Sequence, residues 1–319
     1  MAEKYKYLNS LVGQTEIKRE MSFYLDSFRR DGYFMPMITC GARGLGKTLI
    51  VKALAAEMND INKSKGIAKG KRFLMINSAE VRGSEAFLDK VLPTIAQEGH
   101  ILLFFDELNG LSMEVQTLLL SLLSVGEDRK SHYYTTDGTC YTINHEEFTF
   151  CSAASSVAQI HPDLLDRLKR FQMQVYNSEQ LAQIIQKKAK GITFDPDALA
   201  RMAATCRNNA RNAVFRAQDL IAYGEPHFTI QDFNKLKRIL SIYPFGLNRG
   251  EVEVLKHLSS GPKTLTELSA KMNCTRDSLM QDLEQRLKAC SLIKTAGARG
   301  RIILPAGLAV LKEIEEEFS

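Results

Sequence analysis

The segment from Gly41 to Thr48 has the clearest chemical pattern in this sequence. It reads Gly-Ala-Arg-Gly-Leu-Gly-Lys-Thr and fits the phosphate-binding pattern G-x-x-x-x-G-K-[S/T]. Glycines let backbone N–H groups wrap phosphate oxygens, and a helix that begins at the end of the loop adds its positive dipole end. Lys47 would reach the β- and γ-phosphates of a nucleotide, and the Thr48 hydroxyl would join the Mg²⁺ shell. The other predicted cofactor-binding residues of this loop are Gly41, Gly44, Leu45 and Gly46.

Two adjacent carboxylates, Asp106 and Glu107, end an apolar run over residues 101–105. An unbroken apolar run that ends in acids is typical of a buried parallel strand whose carboxyl end opens on a site. Asp106 would hold Mg²⁺, and Glu107 would polarise the water that attacks the γ-phosphate. The same two acids could instead cap a helix. Their place downstream of a phosphate-binding loop favours the Walker B pair.

The elements around these residues alternate between strand and helix patterns. A strand over 35–40 precedes the loop, and a helical pattern over 49–59 follows it. Because this alternation is typical of an α/β parallel sheet, the carboxyl ends of the strands should gather the site residues at one edge. Ser155 follows one of the strands. The other predicted elements are strands at 73–76, 100–105 and 148–152 and helices at 15–34, 84–98 and 111–125.

The second half of the chain has a different pattern. Residues 178–242 read as almost wholly helical, and a Pro- and Gly-containing linker follows at 243–246. Helices at 247–259, 264–272 and 275–289, then strands at 291–295 and 301–305, predict a winged helix, and most winged helices bind DNA. A winged helix used for protein contact is the alternative. The predicted phosphate contacts are Lys294, Arg299 and Arg301 in the wing.

Two segments of the first half interrupt the alternating pattern. Residues 131–145 read as a β-hairpin around an Asp137-Gly138 turn, which would serve either as a partner contact or as a local flap. Residues 62–72 hold five lysines or arginines without periodicity. They predict a solvated loop, with a basic finger against a polyanion as the alternative.

Composition indicates an ordinary globular protein. The chain has 319 residues and a formal net charge of +5, which permits nucleic-acid contact without requiring it. Six scattered cysteines without ligand spacing predict reduced thiols, with no disulfide framework or zinc site. The first residues lack the apolar stretch of a signal peptide, and no apolar run reaches membrane-spanning length. We therefore expect a cytoplasmic protein.

The order of these motifs resembles the RuvB family of bacterial Holliday-junction branch-migration motors, over about residues 7–310. Leu11-Val12-Gly13-Gln14 resembles that family's entry motif beside the adenine, so Leu11 and Val12 join the predicted cofactor-binding residues. Other matching segments are Gly41 to Thr48, Phe105-Asp106-Glu107, Glu127 to Phe150 before Ser155, Asp166-Arg167, Ala210-Arg211-Asn212 and Lys294 to Arg301.

The resemblance implies an AAA+ ATPase that uses ATP and Mg²⁺ in a ring, with six subunits expected. Residues 1–177 would form the ATPase core, 178–243 a helical lid and 244–319 the winged-helix DNA-binding domain. Ser155 would place the attacking water as sensor 1. Arg211 would sense the γ-phosphate in its own subunit, and Arg167 would reach the site of the neighbouring subunit. The ring would pull duplex or four-way-junction DNA past its wings.

The sequence also departs from that family's pattern. Ala42-Arg43 replaces Pro-Pro, and Leu165 stands where the family has an arginine. The basic segment 62–72 resembles an insertion. The hairpin 131–145 has lost a Gly-Pro pattern and gained tyrosines, and the family uses this hairpin to engage the junction-binding protein RuvA. Two alternatives therefore stay open: a loader ATPase that assembles a partner on DNA without translocation, and an ATP-responsive regulator that reads an operator.

Overall fold

A parallel β-sheet forms the centre of the first half of the chain. Its strand order is β2-β3-β6-β1-β7, and all four neighbouring pairs are parallel. The central strands β1, β3 and β6 are almost fully buried, because helices cover both faces of such a sheet. The strands of this half are β1 (Met37–Cys40), β2 (Arg72–Asn77), β3 (Ile101–Asp106), β4 (Lys130–Tyr134), β5 (Cys140–Asn144), β6 (Phe148–Ala154) and β7 (Lys169–Gln172).

The structure, a computed structural model, describes residues 4–67, 70–81, 83–135, 138–297 and 300–318. They divide into two units, Met1–Tyr176 and Asn177–Ser319. The α/β fold class and the predicted parallel sheet are confirmed. The helices of the first unit are α1 (Lys6–Asn9), α2 (Thr15–Asp31), α3 (Lys47–Ser64), α4 (Ser84–Ala86), α5 (Leu92–Glu98), α6 (Met113–Leu122) and α7 (Pro162–Asp166), with a π-helical turn over Phe87–Val91 between α4 and α5.

The hairpin of β4 and β5 packs at its base on α5 and α6. Tyr133 faces Tyr141 in the antiparallel register, as the sequence predicts. The ring Nε2 of the buried His145, which directly follows β5, lies 2.9 Å from the Oγ of Ser131 in β4, and this contact closes the base of the hairpin. Tyr134, near the tip, is 70% exposed. Asp137, in the predicted turn, lies outside the described residues.

The segment 62–72 differs from the prediction of a solvated loop or finger. Residues 62–64 continue α3, and Arg72 begins β2. Lys71 is only 2% exposed, and its Nζ donates to the carbonyl oxygens of Glu146 and Glu147 and to the Thr149 Oγ1, at 2.9–3.0 Å. The long apolar stem of Lys71 lets its ammonium reach these acceptors. The number of charged residues in the segment does not reveal that one of its lysines is buried.

The second unit begins with four helices, which the pattern over 178–242 predicts. Between them, the short strands β8 (Thr193–Phe194) and β9 (His227–Phe228) pair in parallel, and the helical prediction misses them because each has only two residues. The helices are α8 (Ser178–Lys188), α9 (Pro196–Ala204), α10 (Ala210–Tyr223) and α11 (Ile230–Ile239).

The end of the chain has the predicted order of helices and wing. Strands β10 (Ile293–Thr295) and β11 (Arg301–Ile303) pair antiparallel, and Lys263 bridges to Arg301 as a third strand position. A final helix, α16, fills the core beside α12, and the sequence analysis missed it. The helices are α12 (Arg249–Ser259), α13 (Leu265–Lys271), α14 (Arg276–Ser278), α15 (Gln285–Ala289) and α16 (Pro305–Phe318), with a π-helical turn over Leu279–Glu284 before α15.

The loop between α9 and α10 is tied to the start of α12. The Arg207 guanidinium pairs with the carboxylate of Glu251, which is fully buried. The Nε of Arg207 also donates to the Gly246 carbonyl oxygen at 2.6 Å. Gly246 has a φ of +67°, and a Cβ there would lie 2.1 Å from the Thr205 carbonyl oxygen, so this position requires glycine. We call these contacts the Arg207 clasp. They join the helical part of the second unit to the winged part.

The six cysteines lie in the described part of the chain, and none of them forms a disulfide there. Across the described ranges, none of the helices combines the length and apolar character needed to span a bilayer.

Candidate functional site

The loop 41–46 runs from the carboxyl end of β1 to the start of α3. Its three glycines adopt positive φ values of 147°, 81° and 92°, at Gly41, Gly44 and Gly46. A side chain at Gly41 would meet the Met173 Cβ at 3.0 Å, so the backbone must stay bare there. Lys47 is the first residue of α3, and its Nζ lies 2.8 Å from the Gly41 carbonyl oxygen. The loop therefore has the bare backbone and the helix start that phosphate binding needs.

Thr48 and Asp106 meet beside this loop. The Thr48 Oγ1 lies 3.3 Å from the Asp106 Oδ2, since β1 and β3 flank β6 and all three strands end at the same edge. A hydroxyl and a carboxylate oxygen are ligands that Mg²⁺ accepts while it keeps several waters, so the two residues fit that ion. Among the residues that the structure describes, no group of three or more His, Cys, Asp or Glu is placed to hold a metal.

Glu107 is held in place by residues from two other strand ends. Its Oε2 accepts from the Ser155 Oγ at 2.7 Å and from the Ser155 backbone N–H at 3.3 Å. Its Oε1 lies 4.0 Å from the Nε of Arg43 in the phosphate-binding loop. The backbone of Glu107 is left-handed, with a φ of 56°, which is strained for a residue with a side chain. The predicted carboxylate and the predicted sensor therefore touch.

The entry segment is fixed beside the same edge. The buried Gln14 side chain donates to the Gln174 carbonyl oxygen at 2.8 Å and accepts from the Gln174 N–H at 2.9 Å. Lys18 donates to the carbonyl oxygen of Leu11 at 3.0 Å, and Val12 is half-buried next to it. This segment thus lies against the chain that leaves β7. Its predicted contact with adenine stays a prediction.

Two residues of this region were not among the predicted site residues. The Tyr176 hydroxyl donates to the Leu45 carbonyl oxygen at 3.1 Å, and burial raises the pKa of Tyr176. A single tyrosine at the end of a strand gives no signal in a sequence. Arg43, noted only as a departure from a family pattern, is the residue that faces Glu107. Its side chain is 78% exposed and therefore open to a ligand.

The two predicted arginine sensors lie outside the contacts described so far. Arg167 ends α7 and is exposed, and its guanidinium donates to the Ser124 Oγ at 2.9 Å. Arg211 is exposed in the first turn of α10, where its backbone N–H donates to the Asn209 Oδ1. Arg211 belongs to the second unit, so its role towards the nucleotide stays a prediction. Leu165, at the position of the missing arginine, is buried in the core of the first unit.

The wing needs one correction. Lys294 is exposed on β10, as a phosphate contact requires. Arg301, by contrast, donates from its Nε to the Oε1 of Glu284 at 2.6 Å, and only 13% of its side chain is exposed. Glu284 is fully buried and also pairs with Lys288. The spacing of charges in the sequence does not show whether an arginine pairs with a buried carboxylate or faces solvent. Arg299 lies outside the described residues.

Comparison with known proteins agrees with this geometry. Residues 37–179 match the model of the ATPase family associated with various cellular activities (AAA). The Holliday junction branch migration complex subunit RuvB of Fervidobacterium nodosum is 25% identical over 312 residues, which is 93% of this chain and 85% of that protein. The protein of the same name from Orientia tsutsugamushi (strain Boryong) is 24% identical over 315 residues, with 93% and 90% covered.

Solved structures show the same fold. The Thermotoga maritima RuvB Holliday junction branch migration motor superposes with a TM-score of 0.72 at 21% identity, over 98% of this chain and 99% of that chain. A point mutant of that protein gives a TM-score of 0.73 at 21% identity, with 96% and 98% covered. Residues 37–179 thus match the AAA model, and the chain as a whole is similar to RuvB proteins in sequence and in fold.

Proposed function

We propose that this chain is an ATP-driven ring motor that moves duplex DNA and thereby migrates Holliday junctions during recombination and repair. The observation that carries the proposal is the meeting of Thr48 with Asp106 and of Glu107 with Ser155 at one sheet edge. These contacts occur in a chain that aligns over 93% of its length with branch-migration subunits. We also propose the functional division into a core (1–177), a lid (178–243) and a DNA-binding domain (244–319).

The phosphate-binding loop, Lys47, Thr48 and Asp106 would hold ATP with Mg²⁺. Bound Mg-ATP supplies the γ-phosphoryl group that is transferred and a cation that offsets its charge. Lys47 would turn from the carbonyl oxygens of the loop to phosphate oxygens, since those acceptors carry a full charge. Thr48 and Asp106 would orient the cation, either directly or through its waters.

Glu107 would act as the general base on the attacking water. Its Oε2 is held by Ser155, so the carboxylate is oriented before the reaction and loses little freedom when it takes the proton. Ser155 is a positioning residue in this scheme. Arg43 lies beside Oε1, and its exposed guanidinium would also be open to the phosphates.

Assembly would complete the site. The exposed Arg211 would sense the γ-phosphate in its own subunit, and the exposed Arg167 would enter the site of the next subunit of a hexamer. An arginine supplied in this way is worth roughly 10³–10⁵ in rate. A change in nucleotide state would then move the second unit, and with it the winged helix.

Contacts with DNA would come from the wing, through Lys294 and backbone phosphates. Such contacts carry no sequence information, so binding should depend steeply on salt and little on base sequence. The exposed hairpin of β4 and β5 would engage a partner, for which a RuvA-like junction-binding protein is our proposal. Its exposed Tyr134 would give that partner an aromatic anchor.

A synthetic four-way junction tests the motor directly. ATP-driven movement of the branch point and ATP hydrolysis would be measured in the same reactions, with Lys47→Ala as the inactive control. We expect migration and DNA-stimulated hydrolysis that both fail in the variant. If well-assembled protein hydrolyses ATP on DNA but moves no branch point, even with a RuvA-type partner present, the motor proposal is wrong.

A loader ATPase is the second candidate. The buried Leu165 and the tyrosine-containing hairpin are the observations that favour it, because both depart from the pattern of the motors. A loader would show ATPase triggered by DNA or a partner and would retain another protein on DNA. It would do so with no strand displacement at any concentration.

A further inference from the structure

A pocket of about 400 Å³ lies within the second unit, between the helices that follow Asn177 and the start of the winged part. It adjoins the Arg207 clasp, whereas the phosphate-binding loop belongs to the first unit. The polar residues that line it are Thr205, Arg207, Asn212, Arg216, Ser241, Asn248 and Arg249.

The lining of this pocket has one sign of charge. Three arginines face it, and none of the described residues that line it is an Asp or a Glu. The pocket also includes Asn248 and Arg249 at the start of α12, where Asn248 and Glu251 cap the helix through reciprocal side-chain to backbone hydrogen bonds.

Carboxylates outside the lining hold two of the arginines in place. Glu251 pairs with Arg207, and Asp219 accepts from the Arg216 Nη1 at 2.7 Å. Each guanidinium has five N–H donors, so these contacts leave several donors unused. The Nε of Arg216 is buried and has no hydrogen-bond partner among the described residues.

Arg249 adds a charge that no described carboxylate offsets. It is exposed at the first position of α12 and takes part in no ion pair within the described ranges. An arginine presents two parallel donors that match the oxygens of a phosphate group. Its exposure gives a ligand a route into the pocket.

We propose that this pocket binds a phosphate group, held by Arg216 and Arg249. Two sources share this chemistry: a backbone phosphate of bound DNA, and a free phosphate-bearing molecule. Only the DNA source rests on the proposed function. A free-phosphate site would stand even if the chain moved no DNA.

The first experiment measures thermal unfolding of the full chain with inorganic phosphate. The phosphate-binding loop is first saturated with Mg²⁺ and a non-hydrolysable ATP analogue, so that phosphate cannot act there. We expect phosphate to raise the Tm of the wild type more than chloride at equal ionic strength does. The double variant Arg216→Gln/Arg249→Gln should lose this difference.

The control is Lys256→Gln/Lys312→Gln, which removes the same charge from two exposed lysines of the same unit. It should keep the phosphate effect, and it also reports the general stabilisation that phosphate gives to folded proteins. The single variant Arg249→Gln guards against a folding defect, because Arg249 is exposed and makes no ion pair in the described part of the chain. It should weaken the effect and leave the Tm in chloride unchanged.

The second experiment measures duplex DNA affinity against salt for the same proteins. If a backbone phosphate occupies the pocket, Arg249→Gln lowers the slope of log K against log salt by about 0.9 per lost contact, and the lysine control changes it less. An unchanged slope together with a phosphate-dependent Tm assigns the pocket to a free ligand. If the arginine variants match the lysine control in both experiments, the phosphate site is refuted.

Discussion

The Ser155 hydroxyl orients the carboxylate that would take the proton from water. Ser155→Ala should lower the ATPase rate roughly 10- to 100-fold, because Glu107 loses its 2.7 Å hydrogen bond. ATP affinity should stay within about twofold, since Ser155 touches none of the phosphate-binding residues in the contacts described above. Steady-state kinetics and nucleotide binding separate the two effects.

Ser156 provides the matched control for this change. It is the next residue, it is exposed, and its hydroxyl accepts only from the Ala158 N–H in the described structure. Ser156→Ala should hydrolyse ATP at the wild-type rate. Equal losses in both variants would refute the positioning role of Ser155.

The buried Lys71 makes stability depend on pH. Burial lowers its pKa from the ordinary value to about 7, whereas the unfolded chain keeps a pKa near 10.4. Above about pH 7 the unfolded state therefore binds more protons, and the free energy of unfolding gains up to about 1.4 kcal/mol per pH unit. Below about pH 7 both states are protonated and the contribution is constant.

Chemical denaturation between pH 7 and 8.5 checks this prediction. The wild type should gain more stability with rising pH than Lys71→Met does, while the exposed Lys65→Met should match the wild type. The readout is the difference between the proteins in the slope of the free energy of unfolding against pH. The stability at a single pH would mislead, because Lys71→Met also leaves three hydrogen-bond acceptors unpaired. Parallel slopes for the wild type and Lys71→Met would show that the folded lysine stays charged.

The individual residues differ in how well the sequence could predict them. Lys47, Thr48, Asp106 and Glu107 were predictable as a set, because the chemistry of phosphate transfer requires a lysine and a hydroxyl where the helix follows the loop and acids at a strand end. Tyr176 contacts the phosphate-binding loop through one hydroxyl, and Lys71 is buried although it lies in a charged segment. Contacts between distant parts of the chain decide both cases, and no local pattern records them.

At the scale of elements, the wing separates a structural arginine from a surface lysine. Arg301→Ala should cost about 3 kcal/mol in the stability of the second unit, because Glu284 stays buried with only Lys288 beside it. Denaturant unfolding measures this loss. The double variant Arg301→Ala/Glu284→Gln should recover part of it, since the buried charge is then gone. No recovery would mean that Arg301 acts by packing and not by charge.

Lys294→Ala should behave in the opposite way. Stability should change by less than about 0.5 kcal/mol, because the side chain is exposed. The slope of log K against log salt for duplex DNA should fall by about 0.9 if one phosphate contact is lost. If Lys294→Ala leaves the affinity for duplex DNA at low salt unchanged, Lys294 is not part of the DNA-binding surface.

The elements were predictable where their pattern is long or strong. The central strands, the long helix α2 and the hairpin follow from apolar periodicity and turn residues. The two-residue strands β8 and β9 are too short to give a pattern. Helix α16 was missed because Pro305 reads as an end, although proline is well suited to a first helical position.

For the whole molecule, the proposed ring makes hydrolysis depend on assembly. Arg167→Ala should lower the ATPase rate by roughly 10³-fold or more and leave ATP binding intact, because the arginine would act on the site of a neighbour. Mixing Arg167→Ala subunits with Glu107→Gln subunits should restore part of the ATPase activity. At some interfaces of a mixed ring, the first variant supplies an intact Glu107 and the second an intact Arg167. The rate is measured over a range of mixing ratios.

Arg170→Ala is the control, since Arg170 is also exposed and pairs only with Asp166 in the described structure. It should hydrolyse ATP at nearly the wild-type rate. Failure of the mixed proteins to recover any activity, with assembly verified by sedimentation, would place Arg167 outside the neighbour's site. Sequence alone could not decide this point, because a contact between subunits leaves no periodicity in one chain.

The Arg207 clasp has a consequence for exchanging parts between relatives. A winged helix grafted from a relative at position 244 would bring its own residue in place of Glu251 and leave Arg207 without its carboxylate. It would also place a foreign linker where only glycine fits against Thr205. Chimeras should therefore tolerate a junction near residue 177 better than one near 244, so that the helices from 178 onward and the winged part are inherited as one piece.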